Sequence, residues 1–214
     1  MVRITHRVTG KSLLKASNKS IRGCVFSGHD LRGADFSGQD LSGCKFTGCN
    51  LSDADFSNCI LSNAEILGCS LKRSNFTNAN LSNGTFYDNA FEESKFVNCV
   101  AINSKFHHSK MNFVDFSGAD LSASDFFFAG LRSDFSDAKL VKTNFFGADL
   151  TDANFTKANM QSANMAEAKV DRAIFSMARM QDTIGANGEI LGFTARPRKT
   201  KKSRWKIWNK NKAT

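Results

Sequence analysis

Six cysteines are the residues most open to chemistry in this 214-residue chain, because thiolates bind metals and pair as disulfides. Cys24, Cys44, Cys49, Cys59, Cys69 and Cys99 all lie multiples of five residues apart. Serine, aspartate and histidine together could serve hydrolysis, and Ser37, Ser57, Ser117 and Ser136 each follow an aspartate by two positions. His6 and His29 stand near the N-terminus, and His107 and His108 are adjacent. Nothing in these spacings sets a base against a nucleophile, and glycine-rich phosphate loops are missing. The reading is of no catalytic residue, no metal ligand and no cofactor, and so of a protein that is not an enzyme.

What positions these residues is a repeat. A large apolar residue, position i, recurs every five residues from Ile21 to Leu131 and again from Phe135 to Met180. Among these 33 positions only Ala101 is small. Position i−2 is Ala, Cys, Ser, Thr or Gly in 28 of the 32 units from Phe26 onward, the exceptions being His29, Gln39, Asn89 and Val114. A period of five fits neither the 3.6 of a helix nor the 2 of a strand, so it describes a coil with corners. All six cysteines fall at i−2, where a small inward residue is wanted and free cysteine behaves as a small hydrophobe. Cys24 with Cys44, and Cys49 with Cys69, would stack on successive coils, though a reducing cytoplasm disfavours a disulfide there.

Phe36, Phe56, Phe76, Phe96 and Phe116 are spaced by twenty, and the series resumes as Phe135, Phe155 and Phe175. A second series, Phe26, Phe46, Phe86, Phe106, Phe126 and Phe145, lies halfway between, with leucine dominating the two other phases. Four fives per twenty predict four sides per turn, with Phe filling two opposite walls and residues twenty apart stacked at about 4.8 Å. Leu131 and Phe135 are only four apart, yet the Phe phase survives the step. One corner residue is therefore missing, with Arg132 alone at the turn.

The units GADFS (33–37), DADFS (53–57), NANLS (78–82), GADLS (118–122), GADLT (147–151) and DANFT (152–156) resemble those of the pentapeptide-repeat family, A(D/N)LXX. The resemblance implies an all-β fold, a right-handed quadrilateral parallel β-helix, over residues 21–182 in about eight coils. The single proline, Pro197, lies beyond it, as ladders that need every amide require. Residues 1–20 are expected to form a basic N-terminal cap through Leu13 and Leu14. Residues 183–195 are expected to form a C-terminal cap around an Asn187-Gly188 turn, and 196–214 a basic, disordered tail. Some family members imitate the phosphate ladder of DNA with an acidic face that enters the DNA groove of gyrase. Quinolone-protection members resemble this chain in length, although many carry loops that this chain lacks.

Net charge is +9, with a mildly acidic body and basic ends. Residues 1–20 hold five Lys/Arg and no acid, and 185–214 hold nine against one. On the all-Phe wall the outward i−1 positions read Asp35, Asp55, Asn75, Lys95, Asp115 and Asp134, with Asp137 nearby. They can be solvated surface, or a face selected for a cationic partner. The resemblance makes that partner a type II topoisomerase, DNA gyrase or topoisomerase IV. In the tail Arg204, Trp205, Lys206, Ile207 and Trp208 interleave charge with apolar bulk, which suits anionic membranes and nucleic-acid backbones. Exposed coil ends would also suit a homodimer. No apolar run reaches the roughly 18 residues of a membrane span, so the cytoplasm is the expected location. The alternative is a translocated effector without a cleavable signal, docked on membranes by its tail.

Overall fold

The computed structural model describes residues 2–16 and 20–192. Among them there is no helix, and the chain winds as a four-sided β-helix. Successive parallel bridges join Asp30 to Asn50, Asp35 to Asp55, Asp40 to Ile60 and Lys45 to Glu65, one per side. Each side makes the same bonds. The Phe36 amide donates to the Asp55 carbonyl at 2.8 Å, and the Asp55 amide to the Ala34 carbonyl at 2.8 Å. The Gly38 amide donates to the Ser57 carbonyl, and the Gln39 amide turns back to the Phe36 carbonyl. With the amides committed this way, a proline in the body would break a ladder. Within the coils, β3 (Val25–Ser27), β4 (Lys45–Thr47) and β5 (Glu65–Leu67) extend to three residues and form one parallel sheet in that order.

Corners are made at i+2, where the backbone turns left-handed. From Asp53 to Asp182 the non-glycine corners have φ between 51° at Phe128 and 63° at Glu93. This explains why Gly, Asn and Asp crowd the position, since they bear that conformation at least cost. Between Phe128 and Asp137 no corner has positive φ. There Arg132 spans the turn alone, and the Asp134 amide still reaches the Val114 carbonyl at 3.0 Å.

Inside, the Phe36 wall stacks ring on ring from Phe36 to Phe96 and from Phe116 to Phe175. Neighbouring centroids are 4.9 Å apart for Phe36–Phe56 and 4.6 Å for Phe76–Phe96. Across the shortened corner Phe116 and Phe135 stack at 4.9 Å with planes 4° apart. The opposite column, from Phe26 through Phe145, meets it edge to face, as at Phe36–Phe46 (5.9 Å, 82°). Ala101 comes half a turn after Phe91, which replaces leucine on the facing wall, so the small residue offsets the large one. The i−2 layer does more than save space. Ser104, Ser109 and Thr143 donate to the carbonyls of Leu81, Phe86 and Leu121, one coil back, at 2.8 to 2.9 Å. Cys44 and Cys59 thiols make the same bond to Ile21 and Phe36. Buried Asn89, an exception to the small rule, donates to the Ile66 carbonyl and accepts from the Cys69 amide.

Both ends carry antiparallel hairpins. β1 (Val2–Thr5) pairs with β2 (Ser12–Ala16), and the Thr5 carbonyl accepts the Asp35 amide at 2.8 Å, so the hairpin lies along the first coil. Leu13 and Leu14 pack against the core, and the His6 ring fills the space over Gly33 where a Cβ would stand 2.5 Å from Nε2. β6 (Thr183–Ile184) continues the Phe26 wall, and β7 (Ile190–Leu191) folds back on it around Asn187 and Gly188.

Candidate functional site: two outer faces

Asp35, Asp55, Asn75, Lys95, Asp115, Asp134 and Asn154 form one parallel ladder on the Phe36 wall. The four carboxylates are half-buried, and each closes a local turn by accepting the amide two residues on. Asp35 takes that of Ser37, Asp55 that of Ser57, Asp115 that of Ser117 and Asp134 that of Ser136, at 2.8 to 3.0 Å. Asn75 and Asn154 do the same for Thr77 and Thr156. Acid or amide therefore satisfies the backbone equally, and charge is an addition to that duty. Asn75 and Asn154 also donate to Asp55 and Asp134 one coil back, at 3.1 and 3.0 Å. Among the described residues, none of the four carboxylates has a cationic partner.

Asp137 stands apart, at a corner beside a groove of 440 Å³ shared with Lys139, Lys157, Asn159, Met177 and Arg179. Its surroundings are cationic, unlike the ladder. The tail residues Arg204, Trp205, Lys206, Ile207 and Trp208 lie outside the described residues.

On the Phe26 wall the outward i+1 positions hold a surface that sequence reasoning missed. Tyr87 stacks on His107 with centroids 4.6 Å apart and planes at 20°. Next come Phe127, 5.8 Å from His107, and Phe146, stacked on Phe127 at 5.8 Å and 11°. At the neighbouring corner Phe128 is 49% exposed and stacks with His108 at 6.2 Å. Phe127 and Phe128 touch edge to face at 4.6 Å. The Phe128 ring lies over Gly147, where a Cβ would come within 2.8 Å of it. The signal was present as pairs, His107-His108, Phe127-Phe128 and Phe146 beside Phe145, at intervals of twenty and nineteen. In the run 126–128 only Phe126 is core.

His107 Nε2 stands 2.9 Å from Asp125 Oδ2, off the line of the ring N–H. With Tyr87 and Phe127 against its faces, the imidazole serves as a member of the stack. Among the described residues no three His, Cys, Asp or Glu side chains gather as a metal site. Burial pushes the thiols up, Cys44 and Cys69 to about 11 and Cys59 to about 12, which keeps them protonated and inert.

Corners of the Leu31 wall carry ion pairs between coils. Arg73 Nε donates to Asp53 at 2.8 Å, and Asp152 lies between Arg172 and Arg132. Those guanidinium groups, Arg172 first, hold the Asp152 carboxyl down at about 2.

Comparison with known proteins agrees with this architecture. A search of curated proteins finds no match. A trypsin-treated variant of QnrB1, a plasmid-mediated fluoroquinolone resistance protein, is 19% identical with a TM-score of 0.52, over 74% of this chain and 83% of that one. HetL, a pentapeptide repeat protein involved in heterocyst differentiation regulation from the cyanobacterium Nostoc sp. strain PCC 7120, is 21% identical over 81% of this chain and 94% of its own, with a TM-score of 0.32. A pentapeptide repeat protein of the Arabidopsis thaliana thylakoid lumen is 25% identical over 69% and 68%, with a TM-score of 0.17. At such identity the QnrB1 likeness speaks to the fold alone. The family model for a pentapeptide repeat region matches residues 19–83, and that for pentapeptide repeats matches 90–122, 138–176 and 148–184. Matched along most of its coiled body by both, the chain belongs to the pentapeptide-repeat family.

Proposed function

We propose that this chain is a non-catalytic, rod-like protein-binding module of the cytoplasm whose Phe36 wall engages a cationic groove on a bacterial type II topoisomerase. The observation that carries the reading is the single ladder of Asp35, Asp55, Asp115 and Asp134, outward and without cationic partners among the described residues. The QnrB1 fold likeness points the same way, since that protein is named for fluoroquinolone resistance. From Asp35 to Asp134 is five coil steps, about 24 Å at 4.8 Å each. Four carboxylates less the Lys95 cation between them leave a net three charges over that length, roughly one per 8 Å, against one per about 1.7 Å of duplex DNA. The wall offers a dilute version of the DNA charge, so its binding should weaken with salt less steeply than that of DNA. We take the winding as right-handed with about eight coils, the hand that parallel crossovers adopt.

The test is gyrase supercoiling, with and without a quinolone, in the presence of micromolar purified protein. Wild type should alter supercoiling or its inhibition. A variant with Asp35, Asp55, Asp115 and Asp134 all replaced by Asn should not. Asn closes the same turns at positions 75 and 154, so the variant keeps its fold while losing the charge. If wild type leaves both readouts unchanged, the topoisomerase reading fails.

A further inference from the structure

The aromatic column on the Phe26 wall calls for a partner of definite chemistry. Tyr87 and His107 stack face to face, as do Phe127 with Phe146 and His108 with Phe128. Within the column, one face of Tyr87, His107, Phe127, Phe146, His108 and Phe128 is thus covered by a neighbouring ring. A nucleobase, a sugar or a lone cation seeks a free ring face, and stacking leaves few of those in the middle of the column. Ring edges carry the positive rim of the quadrupole and take the face of an incoming aromatic ring. Two of these side chains also occupy corners that other residue types fill more easily, with φ of 55° at His108 and 51° at Phe128. Bulky rings kept in a left-handed conformation, half-exposed, mark a surface with a use.

We infer that the column is the docking site of the chain's own C-terminal segment, residues 193–214, through the indole faces of Trp205 and Trp208. The described chain ends at Gly192, directly after β7, which extends the same wall three layers beyond Phe146. From that end to Phe127 is about four layers, roughly 20 Å at 4.8 Å each. Trp205 lies thirteen steps along the chain from Gly192, enough to reach about 43 Å when extended. Between the hairpin and the rings the wall presents Ala166, a small side chain that leaves room for a passing chain. Charge favours the same route. From Tyr87 to Glu167 this wall and its corner hold Asp88, Asp125 and Glu167 against Lys105, while residues 185–214 hold nine cations and one acid. The docking is independent of the topoisomerase reading, which uses the opposite wall.

The chain's two tryptophans both lie in this segment, so native fluorescence of the full-length protein reports the contact without a label. Native emission should be blue-shifted from that of the unfolded chain, and acrylamide quenching several-fold weaker. Substituting Phe127→Ser, Phe128→Asn and Phe146→Ser together should return both readouts to unfolded values while circular dichroism stays native. Because that variant changes three rings, a second one guards the result. Trp205→Ser with Trp208→Ser leaves the body intact and should uncover the column, raising 1-anilinonaphthalene-8-sulfonate fluorescence several-fold. Wild-type tryptophans as exposed as in the unfolded chain would overturn the inference. So would shielding that appears only with dimerisation in sedimentation, which would assign the column to a second copy.

Discussion

Phe113 shows what a single corner can reveal. Its backbone sits at φ 61° and its ring is 70% exposed, so the side chain gains little from burial while bearing the left-handed penalty. Asn occupies the equivalent corner at positions 58, 63, 78, 83, 98 and 103. Phe113→Asn should therefore stabilise the protein by about 1 kcal/mol in urea unfolding. Phe128 should behave differently, since Asn there would also forfeit the rings of His108, Phe127 and Phe146. At the thiols, reaction with Ellman's reagent should find Cys24, the half-buried one, in the native protein and the other five only on unfolding. Rapid labelling of several native thiols would contradict their inward placement.

At the scale of one coil, the stacked column has no slack. Phe96 is fully buried and touches Phe76, Phe91, Phe106 and Phe116, so Phe96→Ala should cost about 3 to 5 kcal/mol. Phe76→Asp, which buries an unpaired charge between Phe56 and Phe96, should unfold several coils together rather than one. A variant melting like wild type would refute that arrangement. Most of the coil was legible in the sequence, because inward residues at a fixed period share one task. The twenty-residue Phe phase even located Phe135 across the shortened corner. Outward positions carry several tasks at once, and there spacing says less. Asp35 and Asp55 read as displayed charge, yet they also close turns that Asn75 closes equally well, a duty hidden by the Asp/Asn exchange. Phe127, His107 and Tyr87 went unread because Ser is the commonest residue at i+1, and the few rings among such positions carry no period other than the coil's. The left-handed corners had a signal too, the Gly, Asn and Asp at i+2, but only the backbone angles show that Phe113, Phe128 and Met177 share it.

For the whole molecule, charge and coil ends matter together. Inter-coil pairs tie the Leu31 corners, with Asp152 at about 2 between Arg172 and Arg132, and Asp53 lowered by Arg73. Asp30 is lowered by Arg32, and Asp40 by the Ser42 hydroxyl. A carboxyl lowered in the folded state stabilises fully above its unfolded pKa, about 4, and loses that contribution as pH falls through its folded value. The thermal midpoint should thus change little from neutral pH to about 4 and drop between there and about 2. An unchanged midpoint at the acid end would show that these pairs contribute nothing. Every face inferred for this protein depends on coils of twenty residues kept in phase across residues 131–135. A crystal structure of the full chain tests this most directly. It should show the rings of Phe116, Phe135 and Phe155 stacked about 5 Å apart inside a four-sided coil, with Asp115 and Asp134 adjacent on one outer ladder. Rings turned to solvent after Leu131, or a ladder that changes walls there, would contradict the account.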